Sequence, residues 1–298
     1  MLLSHWSSGD LLTMYVFRDC DFAPVDKLII TLAPTGMIPT KSQTPHVPIT
    51  PEEIAQDTYE AYKLGASVVH VHARDEETGK PTCDKAVFEK IFKEIRRKCP
   101  DIIICATTSG RTDPQVEHRA EVLDLYPELA SLTLGSLNFP GHPSVNPMAT
   151  IEKLATLMNE RNIMPELEIF EPGFINTAKY MVRKGLLKKP LHFCLLLGSL
   201  GSIPAGINDL SYLVHSLPSE CNWSATGIGR FQTQINAAAL LMGGHVRIGI
   251  EDSIYYNYPS QELATNPKLV ERIVKVAKEL GREIATPLEA REIMGLKR

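Results

Sequence analysis

The sequence predicts an α/β protein built as a single (β/α)8 TIM barrel over residues 27–298, preceded by an N-terminal extension over residues 1–26. Three observations predict it. Short apolar, β-rich runs alternate with longer amphipathic patterns. There are eight such pairs. No linker, low-complexity tract or shift in composition divides them. A doubly wound sheet is the alternative, but it typically has fewer strands, and no Gly-rich dinucleotide turn follows the first run.

Strands are expected at 27–33, 67–72, 101–106, 129–134, 165–170, 190–197, 221–226 and 245–250. Most are apolar along much of their length, as parallel strands covered on both faces are. The first helix opens at Thr50-Pro51-Glu52-Glu53, where Thr50 caps, Pro51 takes the first turn and Glu53 closes a capping box. Further helices are expected near 84–98, 114–125, 147–160, 175–184, 206–216, 230–242 and 267–280. On the last, Glu271, Lys275 and Lys278 mark a solvated face.

The 298 residues are 44% hydrophobic and 22% charged, an ordinary globular composition. Thirty-one basic against 35 acidic side chains leave a net charge of −4, which argues against a nucleic-acid partner. No run approaches the ~20 apolar residues of a membrane helix; 191–207 is broken by His192, Pro204 and several Gly and Ser. The extension starts apolar, but His5, Trp6 and Asp10 interrupt it and no basic leader or small-residue cleavage site follows, so no signal peptide is expected. The six cysteines include no C-x-x-C pair. Reduced thiols in the cytoplasm are the expectation.

In a barrel, chemistry gathers at the C-terminal ends of the strands. The second run ends in Val69-His70-Val71-His72-Ala73-Arg74-Asp75. Alternation along a strand puts His70 and His72 on one face, where two imidazoles converge on one metal. Two hydrogen-bonded core histidines are the bland alternative. The eighth run closes on Arg247-Ile248-Gly249-Ile250-Glu251-Asp252. In a closed barrel strands two and eight both flank strand one, so Glu251 is the natural third ligand, unless it caps the following segment. Two His and a carboxylate with an open position describe a catalytic zinc site.

The third run ends in Thr107-Thr108-Ser109-Gly110-Arg111, whose hydroxyls, N–H groups and guanidinium suit a carboxylate or an oxyanion. Ser131 and Thr133 lie on the fourth run, and Glu166, Glu168 and Glu171 on or just beyond the fifth. Gly198 and Gly201 sit in a Gly-rich turn after the sixth, and Gly227-Ile228-Gly229-Arg230 opens the helix after the seventh. Together these two turns hint at a phosphate-bearing ligand.

With these pieces placed, the chain from about Lys27 onward resembles the beta-keto acid cleavage enzyme family. The resemblance is carried by Ala33-Pro34-Thr35-Gly36, Pro48 to Ile54, Gly65-Ala66, His70-x-His72 with Arg74-Asp75, Gly135 to Phe139, Pro165-Glu166-x-Glu168, Gly227 to Arg230, and Gly243 to Arg247 with Glu251-Asp252. It implies a TIM barrel holding Zn²⁺ through His70, His72 and Glu251. It also implies a reaction in which a β-keto acid and acetyl-CoA give acetoacetate and a new acyl-CoA. Zn²⁺ would act there as the Lewis acid that stabilises an enolate. Asp252, held by Arg247, would be the base. Thr107, Thr108, Gly110 and Ser131 would hold the substrate carboxylate or the transferring oxyanion, Glu168 would join the substrate site, and Gly198, Gly201 and Arg230 would face CoA. A homotetramer or dimer is implied as well.

There are departures. Where the lysine-fermentation member of the family has a carboxylate for the substrate ammonium, this chain has Ile38. Thr107 replaces a Ser and Ser131 a Thr. Ile38 leads to the expectation of a neutral or apolar substrate tail, since a buried ammonium would lack its partner. Two rival activities share the metal site: a class II aldolase-type lyase without CoA, and a TIM-barrel metallohydrolase. The second places His-x-His on strand one and further histidines at the ends of strands five and six, unlike this chain.

Overall fold

The computed structural model describes residues 26–139 and 141–296. All of the expected extension except Asp26 therefore lies outside the described residues. The barrel strands are β1 (Ile30–Leu32), β2 (Val68–Val71), β3 (Ile103–Ala106), β4 (Leu129–Thr133), β5 (Met164–Ile169), β6 (Leu191–Leu197), β7 (Cys221–Gly227) and β8 (His245–Ile248). They close in the order β1-β8-β7-β6-β5-β4-β3-β2, parallel at every pairing. The helices are α1 (Pro51–Leu64), α2 (Lys85–Lys98), α3 (Val116–Ala120), α4 (Met148–Glu160), α5 (Pro172–Arg183), α6 (Ile207–Ser216), α7 (Gln232–Leu241), α8 (Asn266–Glu279) and α9 (Pro287–Met294).

Alternation along the strands organises everything inside. Ile30, Leu32, Val69, Val71, Ile104, Leu132, Leu167, Ile169, Phe193, Leu195, Val246 and Ile248 join the large apolar core beneath the helices. The residues between them point to the barrel axis, and many are polar: His70, Ser131, Glu166, Glu168, His192, Thr226, His245 and Arg247 are all buried. Barrel interiors are ordinarily filled by branched aliphatics. So polar a lumen must satisfy its groups with one another or with bound species.

The floor is apolar. Ile29, Val68, Ile103, Cys105 and Leu129 meet Ala285, Ala290 and Met294 of the C-terminal segment. Ala285 N–H donates to Leu28 O at 2.9 Å, and Ser67 Oγ donates to Ala285 O at 2.7 Å. The helix α9 that completes this plug is absent from the sequence-based expectations. Its start, Thr286-Pro287-Leu288-Glu289, forms a capping box of the same kind as Thr50 to Glu53. The helix expected at 114–125 divides into α3 and a 3-10 turn over Glu121–Leu125. Three two-stranded hairpins, pairing Ala73–Arg74 with Pro81–Thr82, Leu137–Asn138 with Pro143–Ser144 and Tyr255–Asn257 with Glu262–Leu263, decorate loops that follow β2, β4 and β8.

Ile91 on α2 is fully buried, so Ile91→Ala is expected to cost about 2–5 kcal/mol in denaturant unfolding. A second expectation concerns acid. His245 Nδ1 accepts the Ile29 N–H at 3.1 Å, and burial, with the His192 and Arg282 charges, draws its pKa down from 6.5 to about 3. Between those values the unfolded chain binds a proton that the folded protein excludes, so this group's contribution is complete above pH 6.5 and is lost as pH falls. The slope is about 1.4 kcal/mol per pH unit. Unfolding at stepped pH should show it, and His245→Gln, which keeps an acceptor, should flatten it.

Candidate metal centre and active site

The centre is assembled by register. Leu32 pairs with Val69 on one side and with Ile248 on the other. The ends of β2 and β8 thereby stand on either side of β1. His72 Nε2 lies 3.3 Å and His70 Nε2 3.9 Å from Glu251 Oε1. Two ligands at zinc-type distances on a tetrahedral ion stand roughly 3.3 Å apart, so this spacing suits a single ion. His70 Nε2 and Glu251 Oε2 are buried with no hydrogen-bond partner, as donors reserved for a cation would be. Burial holds the His70 pKa well below its ordinary value, leaving the imidazole neutral and able to bind metal. The donor set therefore fits the zinc implied by the sequence. Gly36 makes room for Glu251: its φ is +60°, and a Cβ there would stand 2.4 Å from Glu251 Cγ.

The far side of His70 meets two residues to which the sequence assigns no role, Cys105 and Glu166. His70 Nδ1 is 3.5 Å from Cys105 Sγ and 3.6 Å from Glu166 Oε2, and the Cys105 thiol donates to Glu166 at 3.4 Å. His70, Cys105 and Glu166 also form a metal-type cluster. Burial, with the neighbouring Glu166 charge, pushes the Cys105 pKa well up, so it stays a thiol and makes a poor ligand. Glu166, raised to about 7 mainly by burial, is placed to orient the imidazole from behind. The signal for Glu166 was its parity with Glu168; Cys105 pairs with His70 across β2 and β3.

Arg247 is the electrostatic hub. Its Nη2 donates to Glu251 Oε1 at 2.6 Å and to Asp252 Oδ1 at 3.1 Å, and its Nε to Asp252 Oδ2 at 3.0 Å. Glu168 Oε1 lies 3.8 Å from Nη1. Burial raises the Glu251 pKa, yet Arg247 and the two imidazoles overcome it and hold the group well below the carboxylate range. Asp252 goes the other way: burial lifts it, although Arg247 and the Thr226 hydroxyl bonded at 3.2 Å oppose the rise. Two adjacent carboxylates thus differ in basicity, Glu251 suited to a ligand and Asp252 to a base. Asn236 Nδ2 fixes the Arg247 carbonyl at 2.8 Å and Gln232 Nε2 that of Gly249 at 2.9 Å, so α7 anchors the hub.

A cavity of about 550 Å³ opens above the centre. His72, Arg247, Glu251, Asp252, Thr107 and Glu168 line it, with Ile38, Gly198 and Arg230. Thr133 Oγ donates to Glu168 at 2.5 Å. Ile38 stands at the mouth, 57% exposed. Thr108, Gly110, Ser131 and Gly201 are not among the lining residues. Thr108 N–H donates to Ser131 Oγ at 3.2 Å and Thr108 Oγ donates to Ser131 O at 2.6 Å, so this pair braces the turn from below. Gly110 packs on the buried Arg119, and Gly201 on the Asn138 backbone. Thr107, Ser109 and Arg111 are what this turn presents to the cavity.

A family model described as beta-keto acid cleavage enzyme matches residues 27–296. The chain belongs to that family. It is 43% identical over 275 residues, 92% of this chain and 100% of the relative, to a 3-keto-5-aminohexanoate cleavage enzyme of Fusobacterium nucleatum subsp. nucleatum. It is 36% identical over 273 residues, 90% and 94% of the two chains, to a 3-oxoadipate:acetyl-CoA acetyltransferase of Cupriavidus necator. Among solved structures, ObcA with oxaloacetate superposes with TM-score 0.77 at 22% identity, covering 85% of this chain and 68% of that one, a likeness of fold.

Titration with Zn²⁺ should give about one bound ion per chain, lost in His70→Ala. Glu166→Gln should keep the site but weaken it about 10- to 100-fold, since the imidazole loses its orienting partner.

Proposed function

We propose that this protein is a zinc-dependent beta-keto acid cleavage enzyme, converting a β-keto acid and acetyl-CoA to acetoacetate and a new acyl-CoA. The observation that carries the reading is the adjacency of a His₂Glu donor set to a carboxylate held by Arg247, at the open end of a barrel of this family. Names of relatives that specify acetyl-CoA support it.

Zinc bound by His70, His72 and Glu251 would supply Lewis-acid stabilisation of developing negative charge. Asp252 takes the proton from C2 of the β-keto acid, and Arg247 keeps its carboxylate aligned. The C2 carbanion equivalent attacks the acetyl carbonyl, forming a C–C bond and releasing CoA thiolate. The thiolate attacks the original keto carbon, and the C2–C3 bond breaks. The acyl group leaves as its CoA thioester; C2 regains a proton from Asp252 and departs within acetoacetate. Thr107 and Ser109 offer hydroxyls to the substrate carboxylate, and Glu168 with Thr133 presents a further polar edge. Arg230, exposed at the rim and stacked on Phe231 at 4.8 Å, is suited to a CoA phosphate.

The substrate tail carries no ammonium in this reading. Ile38 offers it no partner, and the arginines lining the cavity repel it. Five described cysteines are free, which supports a reducing, cytoplasmic setting, and no described helix is long and apolar enough to cross a membrane. A homotetramer or dimer is the assembly we assign.

Zinc-loaded enzyme mixed with acetoacetate and a pool of acyl-CoA thioesters should consume an acyl-CoA and form acetyl-CoA, read by mass spectrometry. Asp252→Asn should slow this about 10²- to 10⁴-fold. Stoichiometric zinc without thioester exchange would favour the aldolase-type or hydrolase chemistry instead. In the forward direction, 3-ketohexanoate should outrun 3-keto-5-aminohexanoate about tenfold or more; the reverse preference would defeat the assignment of the tail.

A further inference from the structure

Arg111, at the end of the Thr107–Arg111 turn, has no part in the chemistry above, yet it lines the cavity. It is half-buried. Among the described residues it donates no hydrogen bond and makes no ion pair; its contact is with Phe139, whose ring centroid lies 4.1 Å from the guanidinium carbon. Phe139 packs edge-on against Phe170 at 5.3 Å, and both rings line the cavity. The ring covers the guanidinium on one side, while its N–H groups make no hydrogen bond among the described residues. That is the preparation a planar, bidentate anion needs.

The other cavity arginines are committed differently. Arg247 is taken up by Glu251 and Asp252. Arg230 is exposed at the rim. Among the described lining residues Arg111 is the arginine with neither a bonded carboxylate nor an exposed place at the rim. Burial also draws the Arg111 pKa below its ordinary value, against the pull of Glu251 and Glu168, as expected of a desolvated cation without a counter-ion.

We propose that Arg111 binds a second carboxylate at the far end of the substrate, so that the preferred substrates are β-keto dicarboxylates. This rests on the β-keto acid reading and replaces the expectation of a neutral or apolar tail, which came from Ile38 alone. Ile38, 57% exposed at the mouth, does not close the pocket against a charged tail.

The test compares 3-oxoadipate with 3-oxohexanoate, which match in chain length and differ in the terminal group. Wild type should favour the diacid in kcat/KM about 10- to 100-fold, and Arg111→Gln should bring the ratio near unity. Calorimetric binding of the two acids, without acetyl-CoA and with or without zinc, should show the same Arg111-dependent difference. If neither acid yields acetoacetate but the diacid still binds tighter through Arg111, the subsite stands and the reaction assignment falls. The subsite is overturned by a wild-type preference for the monoacid. It is overturned by equal losses for both acids in Arg111→Gln, which would put Arg111 on the carboxylate they share. It is overturned equally by a rise confined to the KM for acetyl-CoA, which would put it on a CoA phosphate.

Discussion

One buried guanidinium, that of Arg247, sets the conditions for the rest of the site. It is 2% exposed and bonds Glu251 and Asp252 together. A buried cation with two carboxylate partners is tolerable; either carboxylate alone in that lumen would be costly. The same contacts separate their roles. Glu251, drawn also by the two imidazoles, stays ionised and available to a metal, while burial leaves Asp252 the more basic of the two. Removing Arg247 would therefore disturb Glu251 and Asp252 together, and would leave charge stranded in the interior.

This arrangement depends on a barrel whose lumen is unusually polar. Branched residues on the outward parity of the strands hold the helices, and a separate apolar plug from the C-terminal segment seals the floor. Inward positions are thereby released from packing duty. Glu166, Cys105 and His192 occupy a buried layer beneath His70 and His72, where His192 Nε2 lies 3.9 Å from Glu166 Oε1 and neither ring nitrogen makes a hydrogen bond within the described residues. Such a layer stiffens the centre from behind while substrate approaches from the open end.

Much of this was legible in the sequence because period-two alternation encodes it directly. Val69-His70-Val71-His72 announces both the outward core and the inward histidines, and strand closure brings Glu251 to them. Side-chain pairing across strands was less legible. Nothing local says that Thr108 and Ser131 bond each other rather than face the cavity, since their meeting depends on the turn that follows β3. Nor does local sequence show that Gly201 packs on Asn138, a contact between two loops. Arg111 was visible as a guanidinium suited to a carboxylate, but its freedom and its seat on Phe139 emerge only once the loops after β3 and β4 are folded together. The start of α9 is written in the sequence too, since Thr286-Pro287-Leu288-Glu289 repeats the start signal of α1, but the helix is too short to show a clear apolar period.

Bond formation from C2 of the keto acid to the acetyl carbonyl, before the original C2–C3 bond breaks, gives the acetyl carbons a definite fate. The most direct test is to supply acetyl-CoA labelled with ¹³C at the acetyl carbonyl, with an unlabelled β-keto acid, and to read the products by NMR. The label is expected at C3 of acetoacetate and absent from the new acyl-CoA. Acetoacetate without label, or label confined to free acetate, would contradict it.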